Sequence, residues 1–275
     1  MRRPGLILTA LSLAVLGIYL FVTAPPALPE ASAEPLGVVP IEQVLQTVAA
    51  ENDIVRALYT AEIVTKGTEA GLLYDEDWRD EGVDAGPLPA LFLREAARSL
   101  QANPLPVGLF LGSDFPISPA NRFEGAQAEV FERIKQNREP EYFYAEDTGQ
   151  YTAMFPDVAG VAGCVSCHND HVDSPKTDWQ LDDVMGAATW SYTKPAVSQA
   201  EYLRIVAAVR QSFRDAYARY VEKTSTFESQ PELGERWPEQ GFYLPSVDVF
   251  MEEFGRRASA ATVERLLVEA DSVAT

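Results

Sequence analysis

The chain has 275 residues, 47% hydrophobic and 23% charged, a balance that builds one large or two small domains with a real core and excludes a disordered or fibrous chain. Against 22 Lys and Arg stand 41 Asp and Glu, a formal charge of −19, and no basic face offsets it, so nucleic acid is excluded as a partner. Two Cys and two His exclude a disulfide-rich scaffold and make each of those residues informative.

Arg2 and Arg3 precede a charge-free stretch whose apolar part runs from Leu6 to Val22, broken only by Thr9, Ser12 and Gly17. Its length falls between a signal-peptide core and a membrane span of about 20 residues. The spacing favours an anchor over residues 1–23; a removed signal is the alternative, since Ala31-Ser32-Ala33 has the form of a cleavage site. Paired arginines hold the N-terminus in the cytoplasm, which places the rest in the periplasm, tied to the inner membrane or released after cleavage. Residues 24–40, with five prolines, read as a stiff exposed linker.

From Ile41, apolar residues at 44, 45, 48, 55 and 58 predict a long helix over about 41–66. A second helix covers 88–101, Leu105 to Leu111 is a short buried strand, and a third helix covers about 119–136 with Phe123, Val130, Phe131 and Ile134 inward. Tyr142–Tyr144 and Tyr151–Phe155 are β-favouring runs around Asp147-Thr148-Gly149, a hairpin. Ala188 to Thr193 adds a strand, and Tyr202, Val206, Val209, Phe213, Tyr217 and Tyr220 mark a long amphipathic helix. After an aperiodic stretch from Phe227 to Pro245, two short helices near 247–256 and 260–270 close an extension over 226–275. The sum is an α+β chain.

Cys164-Val165-Ser166-Cys167-His168 is C-x-x-C-H, the attachment pattern of haem c. Two thiols three residues apart reach the two vinyl groups of one haem, and the adjacent imidazole of His168 binds iron as proximal ligand. Export agrees with covalent attachment outside the cytoplasm. A redox C-x-x-C lacks its βαβ context here. Zinc would need Cys164, Cys167, His168 and His171 within eight residues, and a C-x-x-C disulfide closes almost no loop.

For the sixth iron position, His171 is held on the proximal side by its short link and reads as a supporting or surface residue. Met154 has the reach and a suitable thioether, against an ordinary role as a core methionine; Met185 and Met251 are weaker versions. An open iron is the other alternative. The acidic run Asp75–Asp80 lacks the glycine and glutamate of a calcium loop and reads as solvated. No phosphate loop, nucleophile elbow or zinc-protease motif occurs, and a distal acid–base histidine is lacking, so the chain is not expected to be an enzyme.

The run from Cys164 to His171, followed by Ser174-Pro175-Lys176, Asp178-Trp179 and Asp183-Val184-Met185-Gly186-Ala187, resembles the c-type haem, PAS-like sensor domains of bacterial signalling proteins. The resemblance spans about residues 41–225. It implies a PAS-like antiparallel sheet, a long N-terminal helix with flanking helices, and one covalent haem c. Some members take the sixth ligand from the N-terminal helix, but residues 41–66 here hold no His, Cys or Met and offer Tyr59 or Arg56. The resemblance implies sensing of redox state, a diatomic gas or another small ligand, with output to a signalling or redox partner protein. The rival is a monohaem electron-transfer cytochrome, whose acidic surface suits a basic partner.

Overall fold

The computed structural model describes residues 37–273, with side chains through 261. The anchor read over residues 1–23 and most of the proline-rich linker lie outside the described residues. Among those described, no helix is long and apolar enough to cross a membrane.

Val39–Pro40 forms a short strand, β1, and leads directly into α1, Ile41–Leu58. Every apolar position predicted for its inner face is buried. The helix continues through a π-helical stretch, Tyr59–Thr65, to a closing α-turn, Lys66–Glu69. In the wider turn the Thr65 hydroxyl bonds the carbonyl of Thr60, five residues back. Two short parallel strands follow, β2 (Leu73–Asp75) and β3 (Ala85–Pro87), and then α2 (Pro89–Gln101), opened by Pro89.

The main sheet comprises β4 (Gly108–Gly112), β5 (Glu141–Ala145), β6 (Gln150–Val158) and β7 (Val184–Tyr192), antiparallel throughout in the order β4-β7-β6-β5. Gly149, at φ +66°, turns the predicted hairpin. Gly186 lets β7 approach β4 closely, because a Cβ there would meet the Gly112 carbonyl oxygen at 2.4 Å. The helix expected over 119–136 begins later: Pro119–Asn121 is a 3₁₀ turn, and α3 spans Gly125–Asn137. α4 (Ala162–Asp170) carries the cysteine motif; β8 (Ala196–Val197) pairs with β1; α5 is Gln199–Thr224, N-capped by Ser198.

Alternation along β6 divides the interior. Ala153, with Trp190 of β7, faces the large core built from α1, α2 and α5, whereas Met154 and Ala187 face Phe123, Val130, Phe131 and Ile134 around α3. The chain after residue 225 is built into the large core. Two short parallel strands, β9 (Leu233–Gly234) and β10 (Leu244–Pro245), lead into a single helix, α6, Val247–Val273. The two short helices expected there are therefore one. Gly255 alone, at about 1 kcal/mol, does not interrupt a helix that tertiary contacts hold, and no proline intervenes.

Phe250 is fully buried, stacked on Tyr217 with centroids 4.0 Å apart and edge-on to Phe92 at 6.2 Å. Phe250→Ala is expected to lower unfolding free energy by about 3–5 kcal/mol in urea melts. A loss below about 1 kcal/mol would mean that α6 does not belong to the core.

Candidate functional site

The pairing of β6 with β7 shifts register between Asp157 and Val158, and the chain then leaves the sheet for α4. Cys164, Cys167 and His168 fall at i, i+3 and i+4, so the helix puts both thiols and the imidazole on one side. Both thiols are free. No residue of α4 is fully buried, so its hold on the domain comes from a few specific contacts.

Cys164 and Val165 pack against a small cluster of Ala159, Trp179 and Met185. The Asn169 amide donates to the Trp179 carbonyl at 3.0 Å, and its side-chain oxygen accepts from the Trp179 backbone N–H at 2.8 Å. His171 closes the helix by donating its N–H to the Cys167 carbonyl. Its Nδ1 accepts from the Asp173 backbone at 3.0 Å, which leaves Nε2 to donate to Glu76, 3.0 Å away. The acidic run is thus more than a solvated loop: Glu76 grips His171, Trp78 is buried, and Arg79 pairs with Glu95.

Across from α4 stands α1. Arg56 Nη1 donates to Asp157 Oδ1 at 2.5 Å, joining the helix to the end of β6. Burial would lower the Arg56 pKa, but Asp157 outweighs it and holds the guanidinium firmly charged, with Cys164 and Asp53 also acting on it. Asp53 is open to water, yet desolvation is the largest influence on its carboxyl and raises it; Asp157 adds to the rise, and Arg56 and Asn52 oppose it. Through these groups α1, the end of β6 and α4 come side by side.

Burial lowers the His168 pKa, with Asp157 opposing and His171 assisting, so the imidazole is neutral. Its Nδ1 is buried without a hydrogen-bond partner. Burial, then Glu76, Cys164 and Asp170, raise the Cys167 thiol. Two uncommitted thiols and a neutral imidazole on one helical side fit a haem. Cys164 and Cys167 would hold its edge and His168 its iron.

The other sequence candidates lie elsewhere. Met154 is fully buried in the α3 cluster, on the side of β6 opposite Asp157. The Tyr59 hydroxyl donates to the Pro87 carbonyl at 2.7 Å inside the large core. Met251 borders that same core. Of the described methionines, Met185 is the one packed with the motif. Asn52, Asp53, Asp157 and Glu76 escaped sequence reasoning: polar residues on a helix or at a strand end carry no periodic signal. Trp179 appears there only within the resemblance.

An α+β domain that presents such a helix has the makings of a haem-binding domain. The sequence pattern of the Tll0287-like family matches residues 41–193, more than half of the chain. The chain belongs to this family of haem-binding sensor domains. Compared with the curated proteins and with the solved structures, it finds no match.

Asn169→Ala removes both bonds to Trp179 and is expected to cost about 1–3 kcal/mol in urea unfolding of the haem-free protein; an unchanged midpoint would mean the clamp is idle. The folded His168 pKa lies below the ordinary 6.5, so protonation opposes folding. Haem-free protein should lose stability as pH falls from 6.5 through that depressed value. His168→Gln should flatten that part of the profile, and an unaltered slope would refute the assignment.

Proposed function

We propose that the protein is a periplasmic monohaem c-type sensor of redox state or of a small ligand, with a PAS-like domain held to the inner membrane through its N-terminal segment. The observation that carries this is the C-x-x-C-H helix, both thiols free and the His168 ring nitrogen buried without a partner. Cys164 and Cys167 would form the thioethers and His168 the proximal bond. The haem would supply a redox couple and an iron position open to exchange. The chain's own residues do the rest: His168 stays neutral by burial, and Asn169 and His171 fix the helix that carries it.

Sensing is favoured over plain electron transfer by a route out of the site. His171 holds Glu76; the same loop sends Arg79 to Glu95, which also receives Arg98 and Arg219. Lys223, near the end of α5, donates to the Asp80 carbonyl at 2.7 Å. A shift of α4 therefore bears on the end of α5, from which a signalling partner would read it. Electron transfer is the second reading, supported by the exposure of Cys167 and by the acidic surface.

Cys164→Ala with Cys167→Ala should abolish haem staining on a denaturing gel of protein matured with the haem-attachment machinery; retained stain would refute covalent attachment. In the wild type, ferrous iron that binds carbon monoxide readily supports ligand sensing. A low-spin spectrum indifferent to carbon monoxide supports redox sensing or electron transfer.

A further inference from the structure

We propose that the cleft between the first turn of α1 and the edge strand β5 binds a small methylated ammonium compound, seated against tyrosine rings and answered by the carboxylate of Glu42. Tyr151 and Asp157 stand six positions apart along β6, so this cleft lies about 20 Å from the haem motif and does not depend on the haem reading. β5 is the outer strand of the main sheet, and one of its sides has no neighbouring strand. There, against the start of α1, opens a cleft of about 160 Å³ whose lining includes Ile41, Glu42, Leu45, Tyr142, Tyr144 and Tyr151.

Alternation along β5 decides which rings face the cleft. Tyr142 and Tyr144, two positions apart, share the face that looks towards α1, whereas Phe143 between them packs on the other face with the α3 cluster. Tyr151 stands opposite Tyr144 on the neighbouring strand, with ring centroids 4.9 Å apart and planes inclined at 53°. Tyr142 meets Phe155 edge-on at 6.0 Å. In the large core, Tyr59 and Tyr217 commit their hydroxyls to buried carbonyls. Among the described residues no hydrogen bond holds the hydroxyl of Tyr142, Tyr144 or Tyr151, and Tyr142 and Tyr144 keep 36% and 51% of their surface open. Single exposed aromatics are ordinary, but these are gathered at the mouth of one cleft.

Charge then selects the ligand. Glu42, exposed in the first turn of α1, makes no ion pair with any described residue, and no Lys or Arg lines the cleft. Burial and then the Glu42 carboxylate push the Tyr142 phenol up, so that carboxylate acts directly on the ring. The N-terminus of α1 contributes only about half a positive charge, which a full carboxylate outweighs. An anion would meet Glu42, and a neutral apolar solute would leave it unanswered. A cation satisfies both the carboxylate and the negative faces of the rings, and methyl groups on its nitrogen weaken its hold on water and fit it to aromatic contact. The cleft is smaller than the roughly 300–1,000 Å³ of ordinary ligand pockets, which suits a solute the size of a single headgroup.

The test titrates the full chain, matured with haem, by calorimetry with choline and with dimethylbutanol, the uncharged counterpart of choline in which carbon replaces nitrogen. Choline should saturate the protein and bind at least about tenfold tighter than the alcohol. Tyr144→Leu keeps apolar bulk and removes the ring, and Glu42→Gln removes the charge; each should weaken choline about fivefold. Tyr144→Phe keeps the ring and should stay within about twofold of the wild type. Monomeric short-chain phosphatidylcholine in the same titration tells the source: binding tighter than choline assigns a lipid headgroup, weaker binding a free solute, and either upholds the ammonium. Equal affinity for choline and the alcohol, no saturation below about 100 mM choline, or a choline affinity that ignores Tyr144 or Glu42 would overturn the proposal and leave the haem reading untouched. Should Tyr144→Leu fail to fold by circular dichroism, Glu42→Gln and the alcohol carry the same comparison.

Discussion

Five aromatic rings close a circuit in the large core, and the position of α1 beside the site depends on it. Tyr59 stacks on Phe92 with centroids 4.2 Å apart, Phe92 meets Phe250, Phe250 stacks on Tyr217, and Tyr217 meets Tyr220, which returns to Tyr59 at 6.4 Å. These rings come from the π-helical end of α1 and from α2, α6 and α5. Each pair adds about 0.5–1.5 kcal/mol beyond its buried area. The hydroxyls leave the circuit for acceptors: Tyr59 for Pro87, Tyr217 for Pro245, and Tyr220 for Tyr74, which itself donates to the Ile63 carbonyl. Gly86 is required by this closure, because a Cβ there would stand 2.5 Å from the Tyr220 ring. With α1 fixed by its far end, the turn that carries Asn52, Asp53 and Arg56 holds its bearing against α4.

The parts of this arrangement legible in the sequence are those with a period or a fixed chemistry. Val44, Leu45, Val48 and Val55 repeat at helical spacing because one side of α1 is buried, and β5 and β6 read as a hairpin because β-favouring residues flank a turn ending in Gly149. C-x-x-C-H is legible because attaching a porphyrin demands that order. Met154 shows the limit: its burial was foreseeable as the role of a core methionine, but the side of β6 on which it lies follows from register, which the sequence does not print. Asn52 and Asp53 of α1 were hidden for a related reason: they look like a solvated stripe until β6 and α4 are placed against them, whereas Arg56 was legible through the resemblance. Trp78, inside an acidic run, reads as a loop residue although it is 4% exposed.

The exposed helix and the acidic field together constrain what can approach the motif. Glu76, Asp170, Asp173 and Asp178 all stand exposed around α4, and the chain as a whole carries −19. A protein partner with an acidic face would meet repulsion from each of these at short range, and salt would relieve only the distant part of it, beyond about 8 Å at physiological ionic strength. A basic face would be steered to the same place. Arg56, held by Asp157 and flanked by Asp53, adds no surplus positive charge to that field. In the proposed reading, charge therefore selects the macromolecular partner that can approach the motif.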